Sequence, residues 1–240
     1  LTPQTVAQLL ALNRQFYETM GESFSATRQR LQPGVMRMLG RVPAAARVLD
    51  VGCGNGNAAA ALARLGHCGG YVGVDFSRAL LDEANHLVPP GYPASFFQAD
   101  LAQVGWEALL PAGQFDFIFG FAAFHHLPGR ALRKRVIETL RARLATGGRF
   151  VHSYWQFQNS ARLRARIQPW EKAGLSPADV EPGDTLLDWR RGGSALRYVH
   201  LTSPAALAEL AAETGFRLVE SFFSDGEGGN LGLYQIWEYN

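Results

Sequence analysis

The chain has 240 residues, with 23 Lys and Arg against 21 Asp and Glu, 47% hydrophobic residues and two cysteines. This is the composition of a water-soluble globular protein, and it excludes a disulfide scaffold: Cys53 and Cys68 are too few to staple such a chain and have no CxxC partner for zinc, so no metal site is expected. No apolar run approaches the ~20 residues that span a bilayer, and LTPQTVAQLL has neither the basic start nor the small-residue cleavage site of a signal peptide, so no membrane contact and a cytoplasmic location are expected.

Residues 4–20 carry Val6, Leu9, Leu10, Leu12, Phe16 and Met20 at helical spacing behind Pro3, which predicts an N-terminal helix. From Arg47 short apolar runs alternate with helical stretches: RVLDVGC, NAAAALARLG, YVGVDFS, RALLDEANHLV, ASFFQADL, VGWEALL, FDFIFGFAAF, RALRKRVIETLRARLA and GGRFVHSYW. Such alternation predicts βαβ units, hence an α/β fold with a parallel sheet covered on both faces. Pro169, Pro177, Pro182 and Gly192-Gly193 break the rhythm over 156–200, where an insertion or cap over the sheet edge is expected. Ser203-Pro204 then caps a helix ended by Gly215, and GFRLVESFFS and LGLYQIWEYN read as two last strands. With no repeat and no long linker, a single domain is expected over 1–240: a helical extension (1–45), a core (46–155), the cap (156–200), and a last helix with two strands (201–240).

The net charge of +2 is unevenly spread. Between Arg130 and Lys172 lie 11 basic residues against only Glu138 and Glu171. Such a window is either a polyanion footprint or a solvated helix face in a chain that uses 21 Arg and 2 Lys.

The sharpest local signal is VLDVGCGNGNAAA, a strand ending in Asp50 and a turn with Gly52, Gly54 and Gly56 before a helix. In doubly wound sheets ligands bind where strands end, and glycines let the backbone approach them. A dinucleotide loop would need a glycine where this chain has Asn57. Asp75 ends a second strand 23 residues after Gly52, placed to accept ribose hydroxyls or to cap the next helix. Asp100 and Leu101 end a third strand, placed for an adenine amino group and its ring. QFDFIFGFAAFHHL supplies a fourth.

Together these elements, over about residues 47–151, resemble class I S-adenosylmethionine (SAM) dependent methyltransferases. The resemblance implies a doubly wound, mostly parallel seven-stranded Rossmann-like sheet. It also implies a SAM site built from Asp50, Gly52, Cys53, Gly54, Gly56, Asp75, Phe76, Asp100, Leu101, Gly120 and Phe121, with Tyr17 from the N-terminal helix. S-adenosylhomocysteine is then the product. Cys53 is expected as a small buried residue, because methyl displacement needs no enzyme nucleophile.

A narrower resemblance rests on FYETMGESFSATRQRLQPGV, AAFHHL, SYWQFQ and LRYVHL, four elements similar in order to those of the tRNA wobble-uridine carboxymethyl methyltransferases. That family esterifies a carboxylate on the wobble uridine, and the match puts Arg28, His125, His126 and Arg197 at the acceptor. A carboxylate with pKa near 4 needs no base but does need orientation, which the arginine fork provides. Gln32 stands where the family usually has Trp. The expected partner is tRNA bound through 130–172. A small-molecule O- or N-methyltransferase and a non-catalytic SAM-binding protein are the competing readings. The sequence is silent on an activator subunit and on oligomeric state.

Overall fold

The computed structural model describes residues 1–26, 30–190 and 193–239. The alternating runs form, in chain order, α1 (Pro3–Ala26), α2 (Pro33–Leu39), β1 (Val48–Val51), α3 (Asn57–Arg64), β2 (Tyr71–Asp75), α4 (Arg78–Leu87), β3 (Ala94–Gln98) and β4 (Phe115–Phe121). These are followed by α5 (Arg130–Arg143) and β5 (Leu144–Trp155). VGWEALL, read as helical, makes only a short 3-10 turn at Trp106–Leu109. The region expected to be a cap holds α6 (Ala161–Arg164), β6 (Ile167–Gln168), β7 (Asp184–Trp189) and β8 (Ala195–His200), and the chain closes with α7 (Pro204–Glu213), β9 (Arg217–Ser224) and β10 (Gly232–Glu238).

Seven strands form one sheet in the order β3-β2-β1-β4-β5-β10-β9. The first five are parallel, and β10 runs antiparallel to both its neighbours. Every residue of β1 and β2 is buried, as continuous apolar runs require when helices cover both faces. Strand alternation sorts the side chains. Val48, Phe117, Phe119 and Ile236 meet α2 and α3 on one face, while Leu49, Val51, Ile118 and Trp237 meet α5 and α7 on the other. Each such buried side chain stabilises the fold by roughly 1.5–3 kcal/mol.

The chain runs outward from β1 to β3 and returns to β4 on the other side of β1, so the strand order reverses between β1 and β4. A ligand crevice opens at the carboxyl ends of the strands at such a reversal. The cap forms a second sheet, β6-β7-β8, all antiparallel. It stands over that crevice rather than over the sheet edge, because its residues share a cavity with the glycine turn.

Two polar clasps hold the cap. Asn13, buried in α1, acts as a strand partner for β8: its Oδ1 accepts the Tyr198 amide at 2.8 Å, and its Nδ2 donates to the Tyr198 carbonyl at 3.1 Å and the His126 carbonyl at 3.3 Å. From α5 the buried Arg133 donates to the Leu127 carbonyl at 2.9 Å and pairs with Glu181 at 3.1 Å. Asp184, next to it, accepts from the Glu181 amide (2.9 Å), the Tyr198 hydroxyl (2.7 Å) and His200 Nδ1 (2.7 Å).

The basic window does not form one patch. Arg130 and Lys134 meet Glu213, Arg133 is buried on Glu181, and Arg135 and Arg143 donate to backbone carbonyls of Ala102 and Pro111. Arg162 and Arg166 instead line the cavity.

Inside β1, Asp50 is buried and its Oδ2 accepts the Tyr71 hydroxyl of β2 at 2.5 Å. Burial pushes its carboxyl up to about 6, against the Tyr71 hydrogen bond and with help from the nearby Asp75 charge. A raised folded-state pKa means stability that is full below the unfolded pKa near 4 and lost as pH rises through about 6. Asp50→Asn therefore stabilises the ligand-free protein against urea at pH 8, by on the order of 2–3 kcal/mol, and has little effect at pH 4; equal effects at both pH values would contradict this. Asn13→Leu, which keeps the volume but strands the buried Tyr198 amide, costs about 2–4 kcal/mol in the same measurement.

Candidate active site

After β1 the chain turns through Gly52, Gly54 and Gly56 at φ of +73°, +54° and +74°, a left-handed region that disfavours side chains. The amides of Gly52 and Cys53 both donate to the Val74 carbonyl, at 2.7 and 3.0 Å, and tie the turn to the end of β2. A Cβ at Gly52 would lie 2.7 Å from that of Ala123, whereas nothing stands within 4 Å of Gly54. The turn is therefore packed from behind and open toward the cavity.

Carboxylates surround that opening. Asp75 accepts the amides of Gly54 and Ser77, each at 2.9 Å. Burial raises its pKa against those bonds and one from the Phe76 amide, and a carboxylate's lone pairs leave it acceptor capacity toward the cavity. Asp100 accepts the Ala102 amide at 2.8 Å and pairs with Arg14 of α1. At the end of β4, Ala122 takes a left-handed φ of +53°, held by its amide bonding to the Ser153 carbonyl and hydroxyl at 3.2 and 3.0 Å. Strain of this kind costs about 1–3 kcal/mol and clusters at functional sites.

One cavity of about 580 Å³ collects these groups. Asp50, Gly52, Cys53, Gly54, Asp75, Phe76, Asp100, Leu101, Phe121 and Tyr17 all line it. Gly56 and Gly120 do not: Gly56 precedes α3 against Ala84, and a Cβ on Gly120 would meet the Phe124 ring at 2.1 Å. Both glycines allow close packing behind the wall. Burial, with the charges of Asp75 and Asp50, pushes the Cys53 thiol well above its usual range, so it is no nucleophile.

His125, His126 and Arg197 also line the cavity. His126 Nδ1 faces the Tyr198 carbonyl at 3.1 Å. A carbonyl only accepts, so Nδ1 carries the proton and Nε2 accepts the Tyr17 hydroxyl at 3.0 Å. His125, buried, accepts the Trp155 amide at Nδ1 (3.4 Å), and its ring lies 4.4 Å from that of His126. Arg197 is 4% exposed, its guanidinium 5.1 Å from the Phe16 ring centroid and 4.9 Å from that of Trp155. Burial lowers its pKa, opposed by the charge and hydrogen bond of Tyr17, while the Arg166 charge lowers it further. Tyr17, read from the sequence as a cofactor residue, thus also joins Arg197 to His126. Arg28 lies outside the described residues.

Several lining residues carried no local signal. Asn13 and Arg14 were visible only as polar breaks in an apolar helix stripe, and Arg162 and Arg166 only as parts of a basic window. Asp225, between the two last strands, had no assigned role, yet it is buried at φ +72°, lines the cavity and accepts the Gly34 amide (2.9 Å) and the Tyr234 hydroxyl (2.6 Å). Gln32, in the family's Trp position, also lines the wall.

Comparison with known proteins agrees with this geometry. Residues 24–221 match the family model described as "Methyltransferase domain". The tRNA (carboxymethyluridine(34)-5-O)-methyltransferase of Schizosaccharomyces pombe is 23% identical over 86% of this chain and 89% of its own length. The Xenopus tropicalis protein of the same description is 28% identical over 77% of this chain, which spans 28% of that longer protein. A trans-aconitate 2-methyltransferase of Variovorax paradoxus is 35% identical over 50% of this chain and 43% of its own. Among solved structures, a SAM-dependent methyltransferase of Methanosarcina mazei has the same fold, with TM-score 0.65 and 19% identity over 87% of this chain and 98% of its own. With the glycine turn, the strand-end carboxylates and this family match together, the chain belongs to the methyltransferase-domain family and is a SAM-dependent methyltransferase.

Proposed function

We propose that this enzyme esterifies a carboxylate, that of a 5-carboxymethyl group on the wobble uridine of tRNA. The observation that carries the reading is Arg197, a buried guanidinium fixed between two aromatic rings in the wall of the cavity that also holds Gly54 and Asp75. Bound SAM supplies an electrophilic methyl group on a sulfonium. The open glycine turn and the spare acceptor sites of Asp75 suit its ribose, and Leu101 offers an apolar wall for a ring.

The acceptor carboxylate is ionised at neutral pH, so the protein's task is aim rather than proton removal. Arg197 offers a guanidinium to its oxygens, and His125 lines the same wall. Alignment of nucleophile, methyl and sulfur accounts for as much as ~7–11 kcal/mol of barrier reduction. The tRNA methyltransferases support this acceptor because their similarity runs over 77–86% of the chain. Trans-aconitate, also a carboxylic acid, gives a second reading, favoured by the higher identity over half the chain.

Incubation with SAM and tRNA bearing 5-carboxymethyluridine is expected to yield the methyl ester, read by mass spectrometry of nucleosides. Esterification of trans-aconitate alone would favour the second reading. Arg197→Lys keeps the charge but loses the fork, and lowers kcat/KM by about 10–100-fold while leaving SAM affinity within about twofold. Asp75→Ala weakens SAM binding by about tenfold or more.

A further inference from the structure

Of the basic residues between Arg130 and Lys172, most are engaged by the protein itself. Arg130, Arg133 and Lys134 meet glutamates, Arg135, Arg143 and Arg164 donate to carbonyls, Lys172 bonds Gln168, and Arg141 lies over the Tyr239 ring. Arg149, on β5, does not line the cavity. Arg162 and Arg166 do, and among the described residues neither guanidinium has a hydrogen-bond or ion-pair partner.

Their placement is built rather than incidental. The two residues are four apart, on the same side of a helical turn that continues past α6 through Ala165 N to Ala161 O (3.1 Å) and Arg166 N to Leu163 O (3.0 Å). Leu163 between them is buried against Phe157, Leu187 and Val199, which fixes the turn to the cap. Asp188, the carboxylate the cap contributes to this wall, is held by Arg190 at 2.7 Å and leaves Arg166 unpaired. Arg166 also lies close enough to Arg197 for its charge to depress that residue's pKa. Arg162 and Arg166 thus bring two unneutralised guanidiniums to the wall that also holds Arg197, and a bound anion would relieve the repulsion between Arg166 and Arg197.

We propose that Arg162 and Arg166 form a second anion subsite in the acceptor part of the cavity, which takes a phosphate of the same acceptor whose carboxylate Arg197 orients. The proposal rests on the carboxylate reading above for the position of the first anion. The acceptor is then recognised as a dianion, with the methylated carboxylate inside and the phosphate toward the exposed Arg162.

Calorimetric titration of the S-adenosylhomocysteine-loaded protein with inorganic pyrophosphate tests the subsite without turnover. Binding is expected in the wild type, at least tenfold weaker in Arg162→Ala/Arg166→Ala, and unchanged in Arg164→Ala, whose side chain donates to the Gln158 carbonyl instead. Equal binding in the wild type and the double variant, or an equal loss in Arg164→Ala, overturns the subsite. The occupant is tested by comparing kcat/KM for 5-carboxymethyluridine and its 3′,5′-bisphosphate. The wild type is expected to prefer the bisphosphate by tenfold or more, and the double variant to lose that preference. A wild type that shows no preference overturns the phosphate assignment. A wild type that esterifies trans-aconitate but neither nucleoside form refutes the tRNA reading and, with pyrophosphate binding still lost in the double variant, reassigns the subsite to a second carboxylate.

Discussion

The site hangs from one carbonyl. Val74 O accepts the amides of both Gly52 and Cys53, so the turn after β1 is pinned to the end of β2 where the strand order reverses. With the turn fixed there, Asp75 reaches back to the Gly54 amide and Gly52 comes against Ala123 at the end of β4. Three strand ends are thereby locked in one register. The buried carboxylates of Asp50 and Asp75 are the cost of that geometry, and their raised pKa values record it.

A second constraint organises the acceptor end. The backbone of Tyr198 is held by Asn13 on both its amide and its carbonyl, and the same carbonyl takes the proton of His126 Nδ1. One residue of the cap thus sets the position of α1, the tautomer of His126 and, through Tyr17, the hydrogen bonding of Arg197. The Arg133–Glu181 pair and Asp184 hold the cap from its other side. On the proposed reading, orientation of the acceptor and rigidity of the cap depend on the same hydrogen bonds.

Charge shows why position matters more than count. The window from Arg130 to Lys172 is strongly basic in sequence, yet its charges divide among surface ion pairs, backbone carbonyls and a buried clasp. Surface pairs of this kind contribute at most about 1 kcal/mol each and leave little net field. Arg162 and Arg166, on the cavity wall, have no such partner among the described residues.

The glycine turn and the strand-end carboxylates were legible because their signals are local. Glycines at 52 and 54 are demanded by backbone conformation, strand alternation sorts core from crevice, and Asp50, Asp75 and Asp100 stand at strand ends that short apolar runs mark. Gly56 shares that left-handed backbone, but it also packs against Ala84, and Gly120 is needed for packing against Phe124, which no single-strand pattern shows. The acceptor end brings together residues near 13–17, 125–126, 162–166 and 197, which meet only after the cap folds over the crevice. The sequence by itself determined the alternation of strands and helices through the core and the strand-end carboxylates, since these follow from periodicity; the 3-10 turn at Trp106–Leu109 and the strands of the cap do not. Only the tertiary structure decided which arginines stay unpaired, because an ion's partner is chosen by long-range packing and not by its neighbours in the chain.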